Sequence, residues 1–136
     1  MILKFASGIW ALFWAGLACA FELGVLNPEQ LQALEVQQPL VIDVRTAGEW
    51  RDTGVIPGSR ELEAFNADGV FYADAWLQAV RKLQTNPEQT VVLVCRSGHR
   101  SAVAGRFLAE HGLPHVYHLQ NGIQGWIQSG RGLTKP

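Results

Sequence analysis

Cysteine is scarce in this chain: only Cys19 and Cys95 occur among 136 residues. If Cys19 is removed with a leader, no internal disulfide can form at all, which excludes a disulfide-held scaffold. Net charge is nearly absent as well, at a formal −1, and the arginines are scattered instead of forming a basic stripe. That leaves no electrostatic case for binding nucleic acid. No repeat, linker or low-complexity stretch divides the chain after position 20, so residues 21–136 read as one small domain.

The first twenty residues are of a different kind. Lys4 is the only charged residue before Glu22, and Phe5 to Ala20 is almost wholly apolar, with Trp10, Phe13, Trp14 and Leu17. As a helix at about 1.5 Å per residue this stretch spans roughly 24 Å, short of the roughly 30 Å hydrocarbon core of a bilayer. Its length suits a signal peptide better than a stable span, and Ala18-Cys19-Ala20 fits the small-x-small cleavage pattern. Cleavage there starts the mature chain at Phe21, in the periplasm or outside the cell. The alternative is an uncleaved signal anchor tethering the domain to the membrane; a lipoprotein reading is weaker, because Leu17 is misplaced for a lipobox. Either exported location exposes Cys95 to oxidising surroundings, where an unpaired thiol is a liability unless it has chemistry to do.

Beyond residue 20, helix and strand patterns alternate. Asn27-Pro28-Glu29 combines an N-cap, a first-turn proline and an acidic first turn, opening a helix through about Glu35. Leu40 to Val44 reads as a strand, Ala47 to Asp52 as a short helix before the Pro57-Gly58 turn, and Ala75 to Leu83 as a helix with Trp76, Leu77, Val80 and Leu83 on its apolar side. Val91 to Val94 is a fully apolar strand. The helix after it carries an apolar stripe of Val103, Phe107 and Leu108 and ends at Gly112. His115 to Leu119 supplies another strand, and Gly122 to Gln128 a last helix whose Trp126 packs on the core. Alternation of this kind predicts an α/β fold: a central parallel sheet with helices on both faces.

Within that frame the most informative run is Cys95-Arg96-Ser97-Gly98-His99-Arg100-Ser101. It follows the Val91–Val94 strand and leads into a helix, which places Cys95 at the carboxyl edge where open α/β sheets bind ligands. The turn leaves backbone N–H groups without intrahelical partners, and these, the helix dipole and the guanidinium groups of Arg96 or Arg100 all favour thiolate over thiol. Cys95 therefore reads as a nucleophile. His99 reads either as an acid–base group or as a solvent-facing loop side chain. Asp43 and Arg45, at the end of the Leu40 strand, read as groups that fix the neighbouring loop, with Arg45 paired to Glu49 and Asp43 accepting from loop N–H groups. A metal site built on His111, His115 and His118 is excluded by strand alternation, which turns His115 and His118 to opposite faces.

Loop length separates two chemistries. Protein tyrosine phosphatases use Cys-x5-Arg to cradle a phosphoryl group, whereas here Arg100 comes one position sooner and Ser101 takes the phosphatase arginine's place. This shorter Cys-x4-Arg loop closely resembles the active-site loop of the rhodanese family of sulfurtransferases. Two further motifs, in the same order, resemble that family. They are Leu40-Val41-Ile42-Asp43-Val44-Arg45 with Glu49-Trp50 and Gly54-Val55-Ile56-Pro57-Gly58-Ser59, and the closing Asn121-Gly122-Ile123 with Gly125-Trp126. Val55 stands where the family often has histidine, and Gly122 is single where a glycine pair is common.

The resemblance implies a rhodanese-like fold and a two-step transfer that needs no cofactor. Cys95 would take the outer sulfur of a small anionic donor such as thiosulfate as a persulfide, then yield it to a thiol or cyanide acceptor. Backbone N–H groups from Arg96 through Ser97, Gly98, His99 and Arg100 to Ser101 would hold the persulfide, with Arg100 and Arg96 attracting the donor. The alternative is a rhodanese-like module that binds or carries sulfur without turnover. Trp50 and the Glu61–Tyr72 stretch are expected to shape access to the site.

Overall fold

A computed structural model describes residues 21–136; the signal-peptide reading of residues 1–20 lies outside the described residues. Strands β1 (Leu23–Leu26), β2 (Leu40–Asp43), β3 (Arg60–Glu61), β4 (Val91–Val94) and β5 (Val116–Leu119) alternate with helices α1 (Pro28–Leu34), α2 (Ala47–Thr53), α3 (Ala73–Leu83), α4 (His99–Glu110) and α5 (Gly122–Gln128). The strands form one sheet in the order β1-β5-β4-β2-β3, and every pairing is parallel. Strand β4 lies at the centre with all four residues buried, which explains why its sequence is continuously apolar instead of alternating.

The two faces of the sheet carry separate cores. Ile42, Leu93 and Val116 point toward Trp76, Leu77 and Val80 of α3 and Ala104 and Leu108 of α4. Val92, Val94 and Leu119 point the other way, toward Leu31 of α1 and Ile123 and Trp126 of α5. The fold is thus the expected one, with helices on both faces. Among the described residues no helix is long and apolar enough to cross a membrane.

Local signals set the helix starts. Asn27 Oδ1 accepts from the Gln30 N–H at 2.8 Å while Gln30 Oε1 accepts from the Asn27 N–H at 2.9 Å, closing a capping box ahead of Pro28. Thr46 and Glu49 form the same reciprocal arrangement at the start of α2.

Three features differ from the expectation. Edge strand β1 is an addition: its four residues include Gly24, a poor strand former that is needed because the Tyr117 ring packs where a β-carbon would stand. The two-residue β3 is too short to carry a pattern. On α4 the buried face is Ser101, Ala104, Gly105 and Leu108, while Val103 is exposed. Small residues win there because the helix packs closely on β1: a β-carbon on Gly105 would sit 2.6 Å from Leu23 Cδ1.

Candidate active site

Cys95 directly follows β4 in the middle of the sheet, and the chain turns at once through Arg96, Ser97 and Gly98 into α4. The turn depends on Gly98, whose φ of 108° is strained for any residue with a side chain. In that conformation its N–H donates to Cys95 Sγ at 3.1 Å. From the first turn of α4, Ser101 reaches the same sulfur: the thiol donates to Ser101 Oγ at 3.3 Å. Cys95 is only 1 % exposed and is a free cysteine. Arg96, Ser97 and His99 are exposed, while Arg100 is half-buried.

The opposite side of the loop is held by α5. Asn121 and Gly122 both adopt left-handed backbone, at φ 59° and 54°. Asparagine is the residue that tolerates this conformation best after glycine, so Asn121 does the work of the first member of the glycine pair. Gly122 cannot be replaced so easily, because a β-carbon there would overlap Cys95 O and the Arg96 carbonyl. This close approach lets the Ile123 N–H donate to Cys95 O at 2.9 Å and the Gln124 N–H to Arg96 O at 3.1 Å.

Arg100 does not extend freely into solvent. Its Nη1 and Nη2 donate to Glu49 Oε2 and Oε1 at 2.8 and 2.7 Å, a fork-to-fork pair that ties α4 to α2. The arginine's bonds, opposed by burial and assisted by Thr46, hold the Glu49 carboxyl down at about 2. Arg100 is raised above its already high value, first by its bonds to Glu49 and against the cost of burial.

The expected Arg45–Glu49 pair does not form. Arg45 lies before α2 begins, so its four-residue spacing to Glu49 is not helical. Instead Arg45 folds back on Asp43, donating from Nη2 to Oδ2 at 2.8 Å and from Nε to Oδ1 at 3.0 Å, with both residues 1 % exposed. Its other bonds go to Thr53 Oγ1 and Gly54 O, each at 2.9 Å. Asp43 also accepts from the Arg45 N–H at 3.1 Å. The pair pins the end of α2 to the end of β2.

An open cavity of about 450 Å³ lies beside the loop, lined by Thr46, Phe65, Asn66, Ala67, Gly69, His99, Arg100 and Val103. The Glu61–Tyr72 stretch therefore reaches the site, whereas Trp50 does not line this cavity. The three histidines considered for a metal go different ways. His111 Nδ1 lies 2.7 Å from Phe107 O, His115 is exposed beside Glu88, and His118 points inward. Sequence reasoning missed His118 as a partner of the site: its Nδ1 lies 3.1 Å from Ser101 Oγ. The available signal was alternation along β5, which puts residue 118 on the same face as the core residue Val116, toward α4.

A buried cysteine closing a central parallel strand, under a Cys-x4-Arg loop and against a Gly-initiated last helix, is matched across the chain: residues 27–129 fit the rhodanese-like domain. The chain belongs to the rhodanese-like family. A sulfurtransferase of Allochromatium vinosum is 28% identical over 102 residues, covering 75% of this chain and 84% of the relative. The thiosulfate sulfurtransferase GlpE of Pseudomonas savastanoi is 31% identical over 102 residues, with coverage of 74% and 84%. Among solved structures, the thiosulfate sulfurtransferase of Pseudomonas aeruginosa superposes with a TM-score of 0.68 at 26% identity, over 83% of this chain and 20% of that much longer one. The family and its sulfurtransferase relatives support sulfur transfer in general.

Proposed function

We propose that this rhodanese-like domain moves sulfane sulfur from a small anionic donor, thiosulfate or a similar molecule, through a Cys95 persulfide to a thiol or cyanide. The Cys95 thiolate attacks the outer sulfur of the donor, a new S–S bond forms, and the donor's S–S bond breaks with its electron pair leaving on sulfite. The acceptor then attacks the outer sulfur of the persulfide, and Cys95 departs as thiolate. The observation that carries this reading is the tight loop itself, in which Gly98 N–H and Ser101 Oγ both lie within hydrogen-bond reach of Sγ.

The near-complete burial of Cys95 supports a slender donor over a bulky one. Arg96, exposed on the loop, supplies uncompensated positive charge for anion capture, while Arg100, bonded to Glu49, contributes positive potential and rigidity. The cavity beside the loop suits the acceptor, with Phe65 and Val103 contacting an apolar portion and His99 and Asn66 a polar one. We further place the activity outside the cytoplasm, in the periplasm or secreted, on the strength of the apolar Phe5–Ala20 run and the Ala18-Cys19-Ala20 pattern.

Turnover of thiosulfate and cyanide to thiocyanate, compared between the wild-type chain and Cys95→Ser, tests the reading. Complete loss in the serine variant is expected. No turnover by either protein with any of thiosulfate, polysulfide or persulfide donors contradicts it and leaves the non-turnover binding module. Export is tested separately by the N-terminal residue of protein recovered from the periplasm, expected to be Phe21.

A further inference from the structure

Ser101 Oγ is fully buried and carries one proton, yet it has three polar neighbours: Cys95 Sγ at 3.3 Å, Gly98 O at 3.2 Å and His118 Nδ1 at 3.1 Å. The fold brings them together from three separate elements. Cys95 directly follows β4, Ser101 stands on the first turn of α4, and His118 lies on β5 beside β4, facing the same helix. The imidazole is seated closely: a β-carbon on Gly98 would touch His118 Cε1 at 3.8 Å. Nothing in the sulfur-transfer steps above uses this histidine.

We propose that His118 is a positioning residue for the nucleophile, acting through Ser101 as the far end of a proton relay, Cys95 Sγ to Ser101 Oγ to His118 Nδ1; the assignment rests on the reading of Cys95 as the sulfur carrier. With the imidazole proton on Nε2, Nδ1 accepts from the serine hydroxyl and Oγ accepts from the thiol. Activation passes the thiol proton to Oγ as the serine's own proton passes to Nδ1. The S–H bond and the original O–H bond break, a new O–H and an N–H form, and thiolate and imidazolium result. The imidazolium sheds its Nε2 proton to water from its half-buried position. Ser101 then turns its hydroxyl proton toward the sulfur and stabilises the thiolate.

The surroundings suit a conduit better than a permanent cation. Burial, and secondarily the charge of Arg106, push His118 below the usual histidine range. Arg106 is the charged group that bears on the ring from α4, where Arg100 is committed to Glu49. The neighbouring strands set Val25 of β1 and Leu93 of β4 opposite His118 in register, and neither strand contains a titratable side chain. The neutral imidazole therefore keeps both an accepting and a donating nitrogen at neutral pH.

The test is the pH profile of Cys95 alkylation by iodoacetamide in the full chain, measured for wild type, His118→Ala, His118→Asn and Ser101→Ala. A relay predicts that His118→Ala and Ser101→Ala move the profile to higher pH and slow alkylation about tenfold at neutral pH. His118→Asn, which keeps a hydrogen-bonding atom near the Nδ1 position but cannot take the proton, is expected to fold normally and still shift the profile, by less. Should the alanine variants fail to fold, the asparagine variant decides. A wild-type profile in every folded His118 variant overturns the proposal. Because no sulfur donor is used, a shifted profile without persulfide formation overturns only the sulfur-transfer reading, and persulfide formation with an unshifted profile overturns only the relay.

Discussion

Gly122 lies so close to Cys95 that a β-carbon on it would overlap the Cys95 carbonyl oxygen, and the next residue, Ile123, donates its N–H to that same oxygen. Cys95 is thus positioned from its backbone side by the start of α5 as well as by its own loop. Helix α5 in turn is anchored in the core by Ile123 and Trp126, so the site inherits the rigidity of the sheet face that carries Val92, Val94 and Leu119.

Replacing Gly122 with alanine is therefore expected to cost on the order of 2–4 kcal/mol, combining a positive-φ strain with a backbone collision that cannot relax by rotating a side chain. Asn121→Gly, at the preceding left-handed position, is expected to be nearly neutral. Urea denaturation of both variants checks this contrast. Persulfide formation should fall in Gly122→Ala by more than the unfolded fraction accounts for, since Cys95 itself is displaced.

The Asp43–Arg45 pair is expected to be among the least tolerant places in the domain. Arg45→Met leaves a buried carboxylate without its partner and strands Thr53 Oγ1 and Gly54 O, a loss of about 3–5 kcal/mol by comparison with other buried pairs. A double change, Asp43→Leu with Arg45→Met, should destabilise less than the single one because no charge is left uncompensated. Arg45→Lys cannot rescue, since one ammonium cannot reach Asp43, Thr53 and Gly54 together. Chemical denaturation of the three variants distinguishes these outcomes.

Much of this was legible from the sequence because the informative residues are local. The Cys-x4-Arg loop, the Asn27 cap, the wholly apolar β4 and Trp126 all announce their structure within a few positions. What was not legible depended on contacts between distant segments. By sequence Glu49 is expected to pair with Arg45, and its actual partner, Arg100, comes within reach only when α2 and α4 are brought side by side. Strand β1 is short, glycine-bearing and adjacent to the apolar run of residues 5–20, so its identity comes from pairing with β5. His118 becomes interesting only when β5 meets α4 across the sheet face, and Val103 loses its core position because Gly105 draws the helix toward β1.

The Glu49–Arg100 pair should be visible in the acid limb of stability. Glu49 is held at about 2, below its ordinary value of 4.5, so the folded state binds fewer protons there than the unfolded chain. Its stabilising contribution is complete above pH 4.5 and disappears as pH falls toward 2. Glu49→Gln is expected to lower stability by about 1 kcal/mol at neutral pH, given a partly exposed pair that also closes a helix cap. The variant should lose this part of the pH dependence. Thermal melts between pH 2.5 and 7, wild type against variant, give the comparison.

The most direct test of Cys95 as a sulfur carrier is the intact mass of the folded domain before thiosulfate, after it, and again after cyanide. Wild type is predicted to gain one sulfur atom with thiosulfate and lose it to cyanide, while Cys95→Ser stays unchanged throughout. An unchanged wild-type mass with thiosulfate, and equally with polysulfide as the donor, contradicts the account.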